Sequence, residues 1–152
     1  MNTTEYLGLF LTMKNYAEAD AEEVAMLGEK IYGIMTPAYG EKVKHSPTKD
    51  AMGNVVVHKV LSEEHYRAEI DDYMNKMNVI RSQIKKMAEI DDKYYQVLQK
   101  KYVLGMGLSS IARSTGYSLS QTRRIWEEGL ILFDERYGAK YRLKKREDFI
   151  NI

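Results

Sequence analysis

Between Ser118 and Arg124 the chain sets two serines, a glutamine and two arginines around one leucine and one threonine. These side chains share a chemistry. Arginine donates two parallel hydrogen bonds to guanine, glutamine donates and accepts at adenine, and a serine hydroxyl bonds a base edge or a phosphate. Ser120, Gln121 and Arg124 therefore form a set suited to base edges in a major groove, while Arg123 suits a phosphate. Farther on, Lys140, Arg142, Lys144, Lys145 and Arg146 make a basic run. It would attract phosphate whatever the base sequence, unless it is simply the solvated end of a helix.

Other chemistries find no support. The chain has no cysteine, which excludes disulfides, thiolate metal sites, iron–sulfur clusters and thiol nucleophiles, and fits a reducing interior such as a cytoplasm. His45, His58 and His65 lack the spacing of metal ligands. The acidic pairs Glu22-Glu23, Asp71-Asp72 and Asp91-Asp92 are sequence neighbours, so they diverge around a helix instead of working together as acid and base. Ser109 and Ser110 have no identifiable base partner, and no phosphate loop, dinucleotide fingerprint or nucleophile elbow occurs. We expect neither an enzyme nor a cofactor. Tyrosines are plentiful enough to stack on unpaired bases, but the helical spacing of Tyr94, Tyr102 and Tyr117 favours packing.

The elements that must position the 118–124 set can be read locally. Ser118 is a helix cap, and Gln121 three residues later completes a capping box. The helix predicted from it runs Leu119 to Phe133. Thr122, Ile125, Trp126, Gly129 and Phe133 share one face of it; Ser120, Arg124 and Glu127 take the other, flanked by Gln121 and Arg123. Before it, Thr115-Gly116-Tyr117-Ser118 breaks the chain, because glycine accepts the left-handed geometry that ends a helix. A short helix is expected from Leu108 to Ser114 and another from Asp91 to Val103, with Gly105 and Gly107 between them. Ala112 is small where two helices must cross, and Ile111 and Ile125 fall at buried positions of a helix-turn-helix unit.

The pattern Tyr94-Tyr95-x-x-Leu98, Tyr102, Leu108-Ser-Ser-Ile111-Ala112, Gly116-Tyr-Ser118, Thr122-Arg-Arg-Ile125 and Leu130 resembles region 4 of bacterial sigma factors, over about residues 91–135. With its long helices and Ser-Pro connection, the whole chain resembles the small ArpU/RinA-type phage late-transcription regulators. The resemblance implies a helix-turn-helix that reads promoter-like duplex DNA through Leu119, Ser120, Gln121, Arg123 and Arg124, with RNA polymerase as a further partner; Ser118, at the cap, joins them as a candidate DNA-binding residue.

Upstream, Tyr6, Phe10, Met13, Ala17, Val24, Leu27, Ile31 and Ile34 repeat at helical intervals, ending at Gly33, Pro37 and Gly40. Residues 36–60 read as a connection with turn signals at Ser46-Pro47 and Met52-Gly53-Asn54 and a β-prone Val55-Val56-Val57. Ser62 can cap a second long helix, whose seam Tyr66, Ile70, Tyr73, Met77, Ile80, Ile84 and Met87 alternates steps of four and three. The two stripes can cover each other in an antiparallel, coiled-coil-like hairpin, or pair between copies of the chain. The longest apolar stretch, near Tyr6–Met13, is too short to span a bilayer.

Charge divides with position: residues 1–75 hold 7 Lys and Arg against 13 Asp and Glu, and residues 76–152 hold 16 against 9. The basic half is the one suited to nucleic acid. The expectation is an all-α protein with a helical hairpin at 1–88 for assembly or partner contact, a DNA-binding helix-turn-helix at 89–135 and a basic tail at 136–152. Its function would be transcription regulation by a phage or prophage protein. The alternatives are a small-terminase-like packaging component, or a module that engages polymerase or a host factor without reading DNA.

Overall fold

Residue 2 begins the first helix by reciprocal bonding: Asn2 Oδ1 accepts from the Glu5 backbone N–H at 2.8 Å, and Glu5 Oε2 accepts from that of Asn2 at 2.9 Å. This satisfies two backbone donors that a helix start otherwise leaves open. Helix α1 spans Thr3–Met35, with Gly33 inside it. The first half of its expected seam is buried at Tyr6, Phe10, Met13 and Ala17, with Leu7 and Leu9 beside them, while Val24 and Leu27 are half-buried. The computed structural model describes residues 1–35 and 49–150, with side chains described at 1–28 and 60–150. Pro37, Gly40, His45 and Ser46-Pro47 lie outside the described residues, as do the side chains of Ile31, Ile34, Met52–Asn54, Val55–Val57 and His58.

Helix α2, Lys49–Lys86, starts well before the expected cap. Ser62 sits in its interior, and residues 49–60 are helix where a connection was expected, including the β-prone Val55–Val57. Once nucleated, a helix gains a backbone bond for each residue added. Valine costs it only a few tenths of a kcal/mol and glycine about 1, too little to stop it. The seam from Tyr73 through Met77, Ile80 and Ile84 along α2, and on to Met87 just past its end, is buried. Tyr66 and Ile70 are half-buried.

A single 3₁₀ turn at Met87–Glu89 leads to α3, Asp92–Tyr102, capped by Asp91, whose carboxylate accepts from the Lys93 N–H at 3.2 Å. Then come α4, Leu108–Thr115, and α5, Leu119–Tyr137, which runs one turn beyond the expected Phe133. Two further 3₁₀ turns, Gly138–Lys140 and Arg146–Asp148, complete the order. Among the described residues every regular element is helical, and no helix is long and apolar enough to cross a membrane.

The chain divides into two compact units, one of Met1–Asn15 with Tyr73–Ile152 and one of Tyr16–Asp72. The boundaries expected at 88/89 and 135/136 both fall within the first. Its core explains why: Leu7, Phe10 and Met13 from α1, Ile80 and Ile84 from α2, Met87 from the 3₁₀ turn after it, Leu98, Ile111 and Phe133 from α3, α4 and α5, and Tyr141 and Ile150 farther on are all buried in it. Inside this unit the Tyr6 hydroxyl donates to Gln83 Oε1 at 2.8 Å and Arg81 lies over the Phe10 ring. Each large apolar side chain so buried contributes about 1.5–3 kcal/mol, so neither the α2 seam nor the C-terminal segment is an accessory to the α3–α5 core.

In the second unit, Ala21, Val24, Arg67, Ile70 and Asp71 line a shallow groove. The Asp20 carboxyl is raised above the ordinary range, first by burial and then by Glu69 opposite it. His65 Nε2 lies 3.3 Å from Glu69 Oε1.

Candidate nucleic-acid interface

Gly116 ends α4 at φ +79°, a left-handed conformation that side-chain-bearing residues rarely adopt, and its N–H donates to the Ala112 carbonyl at 3.0 Å. Tyr117 stands exposed in the turn, against the packing expected of it, because the tight turn carries it past the edge of the core. Tyr94 and Tyr102 are buried as expected.

The capping box forms in full. Ser118 Oγ accepts from the Gln121 N–H at 3.1 Å, and Gln121 Oε1 accepts from the Ser118 N–H at 3.0 Å. Thr122 Oγ1 adds a bond to the Ser118 carbonyl at 2.9 Å. The Gln121 side-chain oxygen thereby has a use inside the protein, fixing the start of α5. A bidentate bond to adenine would draw on the second lone pair of that same oxygen.

One face of α5 is held inward: Thr122 and Phe133 are fully buried, Ile125 and Gly129 are buried, and Trp126 is half-buried. Trp126 Nε1 donates to the Tyr102 hydroxyl at 3.1 Å, and Lys101 Nζ sits 5.1 Å from the Trp126 ring. The Tyr94 hydroxyl donates to Glu128 at 3.1 Å. Burial pushes the Tyr94 and Tyr102 hydroxyls above the usual phenolic range, which keeps both neutral. α5 is thus fixed on α3 in rotation as well as position.

That rotation leaves Leu119, Ser120, Arg123, Arg124 and Glu127 around one shallow depression on the outer face. All five are exposed. Neither Arg123 nor Arg124 has an ion pair, hydrogen bond or ring contact among the described residues. Two guanidinium groups with no internal use, on a helix whose other side is locked, are available to an external anion.

The run from Lys140 to Arg146 is employed differently. It leaves from the far end of α5, about 28 Å from Ser118 at 1.5 Å per residue. Arg142 forms a two-point ion pair with Asp134, its Nε 3.2 Å from Oδ1 and its Nη2 in close contact with Oδ2. A methyl group on Gly138 would lie 2.6 Å from Asp134 Oδ1 and 2.7 Å from Arg142 Nε, so glycine there makes room for the pair. The Arg142 bond holds the Asp134 carboxyl below the ordinary range. Between these charges, Tyr141 is fully buried, stacks on Tyr6 with ring centroids 4.3 Å apart, and donates to Asp134 at 2.9 Å.

Lys140 and Lys144 lie 5.6 Å and 5.2 Å from the rings of Tyr137 and Phe149. The Lys145 N–H donates to Asp148 at 2.7 Å. Lys144, Lys145 and Arg146 stay exposed and line an open cavity of about 550 Å³ together with Glu5 and Glu147. The segment read as a basic tail is therefore folded onto the core at Tyr141 and Ile150.

Two basic residues escaped the sequence reading. Lys100 Nζ reaches Ser114 Oγ at 2.8 Å, and Arg113 is exposed in the last turn of α4. Their place in final helical turns, where cations are favoured by the helix dipole, is the signal that marks them. No family model, curated protein or solved structure matches the chain.

Proposed function

We propose that the chain is a duplex DNA-binding transcription regulator of phage or prophage origin, with α4 and α5 as a helix-turn-helix and α5 as the helix that enters the major groove. The observation that carries this reading is the pair of unengaged arginines, Arg123 and Arg124, beside Ser120 on the exposed face of a rotationally fixed helix. A major groove about 12 Å wide admits a helix. The likeness to sigma region 4 and to ArpU/RinA-type regulators supplies the biological frame, with RNA polymerase as a candidate second partner.

In this reading Arg124 bonds a guanine edge, Ser120 a base edge or phosphate, and Arg123 a phosphate. Leu119, 46% exposed, is an apolar surface for a thymine methyl. Lys100 and Arg113 extend the phosphate-binding surface, and Lys144, Lys145 and Arg146 add attraction that carries no sequence information. The test is selection of duplexes from a randomised pool by the purified chain, followed by titration of the enriched duplex. A recurring motif, bound with an affinity that falls steeply with salt, is the expected result. Failure to retain duplexes above background at low salt overturns the reading.

A further inference from the structure

The exposed face of α5 carries one group that phosphate attraction does not explain. Glu127 lies on the depression it shares with Arg123 and Arg124, is exposed, and has no ion pair or hydrogen bond among the described residues. On a helix advancing 100° per residue, Ser120, Arg124 and Glu127 fall within about 60° of one another. They form one stripe, opposite the buried Thr122, Ile125, Gly129 and Phe133. A carboxylate on a surface meant only to neutralise DNA opposes binding, since it faces phosphates of its own sign.

In a major groove the same carboxylate has a use. It accepts a hydrogen bond from the cytosine 4-amino group, the base-edge donor matched to an acceptor without protons, while a guanidinium matches the guanine acceptors. Arg124 and Glu127 are three residues apart, a rise of about 4.5 Å along the helix, close to the 3.4 Å step between stacked base pairs. We propose that Arg124 and Glu127 read adjacent base pairs, Arg124 selecting a guanine and Glu127 a cytosine, so that Glu127 is a specificity-determining residue of the site. This rests on the reading of α5 as the groove-entering helix.

Charge and recognition make opposite predictions for Glu127→Gln. The carboxamide removes a negative charge, so a residue that merely repels phosphate gives a variant that binds every duplex more tightly. A residue that reads cytosine gives one that gains on random duplex yet loses its preference at a single position, since an amide that both donates and accepts no longer discriminates among bases. The experiment is selection from a randomised duplex pool with the full chain and with Glu127→Gln. Titrations then follow on the enriched duplex, on duplexes altered at one position, and on a scrambled control.

The expected result is a cytosine position beside a guanine position in the wild-type motif. Substituting that cytosine should cost the wild type about fivefold or more in affinity and the variant little, with the guanine preference retained by both. Thermal melting of the variant is expected to match the wild type, as the side chain is exposed. A uniform gain on all duplexes with the motif unchanged overturns the proposal and leaves DNA reading intact. Loss of the guanine preference in its place also overturns it, since Glu127 would then be a positioning partner of Arg124. Absence of any duplex binding by the wild type overturns the functional reading itself.

Discussion

Arg123 and Arg124 near the start of α5 and Arg142 beyond its end carry the same charge and are put to different uses. Arg142 is paired with Asp134 and stands beside a tyrosine that the core has absorbed. At the start of α5, the buried residues Thr122 and Ile125 flank two arginines that are exposed and make no ion pair, hydrogen bond or ring contact among the described residues. Charge density along a sequence therefore does not measure charge offered to a partner. What decides is whether neighbouring apolar residues draw the segment inward and whether a carboxylate lies within reach.

The largest effect should come from breaking the core that both regions share. Ile80→Asp places an unpaired charge at a site 2% exposed, at a cost of about 3–5 kcal/mol. Ile80 lies in the same compact unit as α5. Duplex binding should therefore be lost together with the helical circular dichroism signal, instead of surviving in an independent DNA unit.

Tyr141→Ala should cost about 3–5 kcal/mol in chemical denaturation, as truncation of a fully buried aromatic does. At temperatures where the variant remains folded, its preference among duplexes should be unchanged. The same residue gives the C-terminal region a pH signature. Burial, the largest cause, pushes the Tyr141 hydroxyl up to about 12 from an unfolded value near 10. The proton is held more tightly in the folded chain, so this contribution to stability is complete below pH 10 and is lost as pH rises from 10 through 12. Tyr141→Phe should flatten that limb of a stability–pH profile.

Arg124→Ala should weaken the selected duplex by about 1–3 kcal/mol and relax preference at one or two positions, whereas Arg123→Ala should weaken all duplexes alike. Equal loss on selected and scrambled duplexes for both variants would sink the assignment of a base to Arg124. The smallest effect is expected of Arg142→Ala. It removes an exposed ion pair and should leave duplex affinity where it was, with only a marginal change in melting.

Local signals were legible in advance. Ser118 and Gln121 spell the capping box, Gly116 the turn, and the period of Thr122, Ile125 and Phe133 the buried face of α5, because each depends on residues within one or two turns. What the sequence left open turns on competing uses of one residue or on distant partners. Gln121 satisfies the base-reading pattern and the capping pattern equally, and only the closed geometry shows which use holds its oxygen. The start of α2 was hidden because Ser62 is a good cap that the longer helix does not need. The run at 140–146 was judged on its charges, yet Tyr141 and Ile150 govern its path by meeting the core.

The most direct test of the account is the salt dependence of affinity for the selected duplex, measured by fluorescence anisotropy for the wild type and for an Arg123→Ala, Arg124→Ala double variant. Each phosphate contact contributes about 0.9 to the slope of log affinity against log salt. With Arg123 on a phosphate and Arg124 on a base, the double variant should bind far more weakly, lose its preference over scrambled duplex, and show a slope shallower by about one. An unchanged slope and an unchanged preference would contradict the claim that the outer face of α5 is where this protein meets DNA.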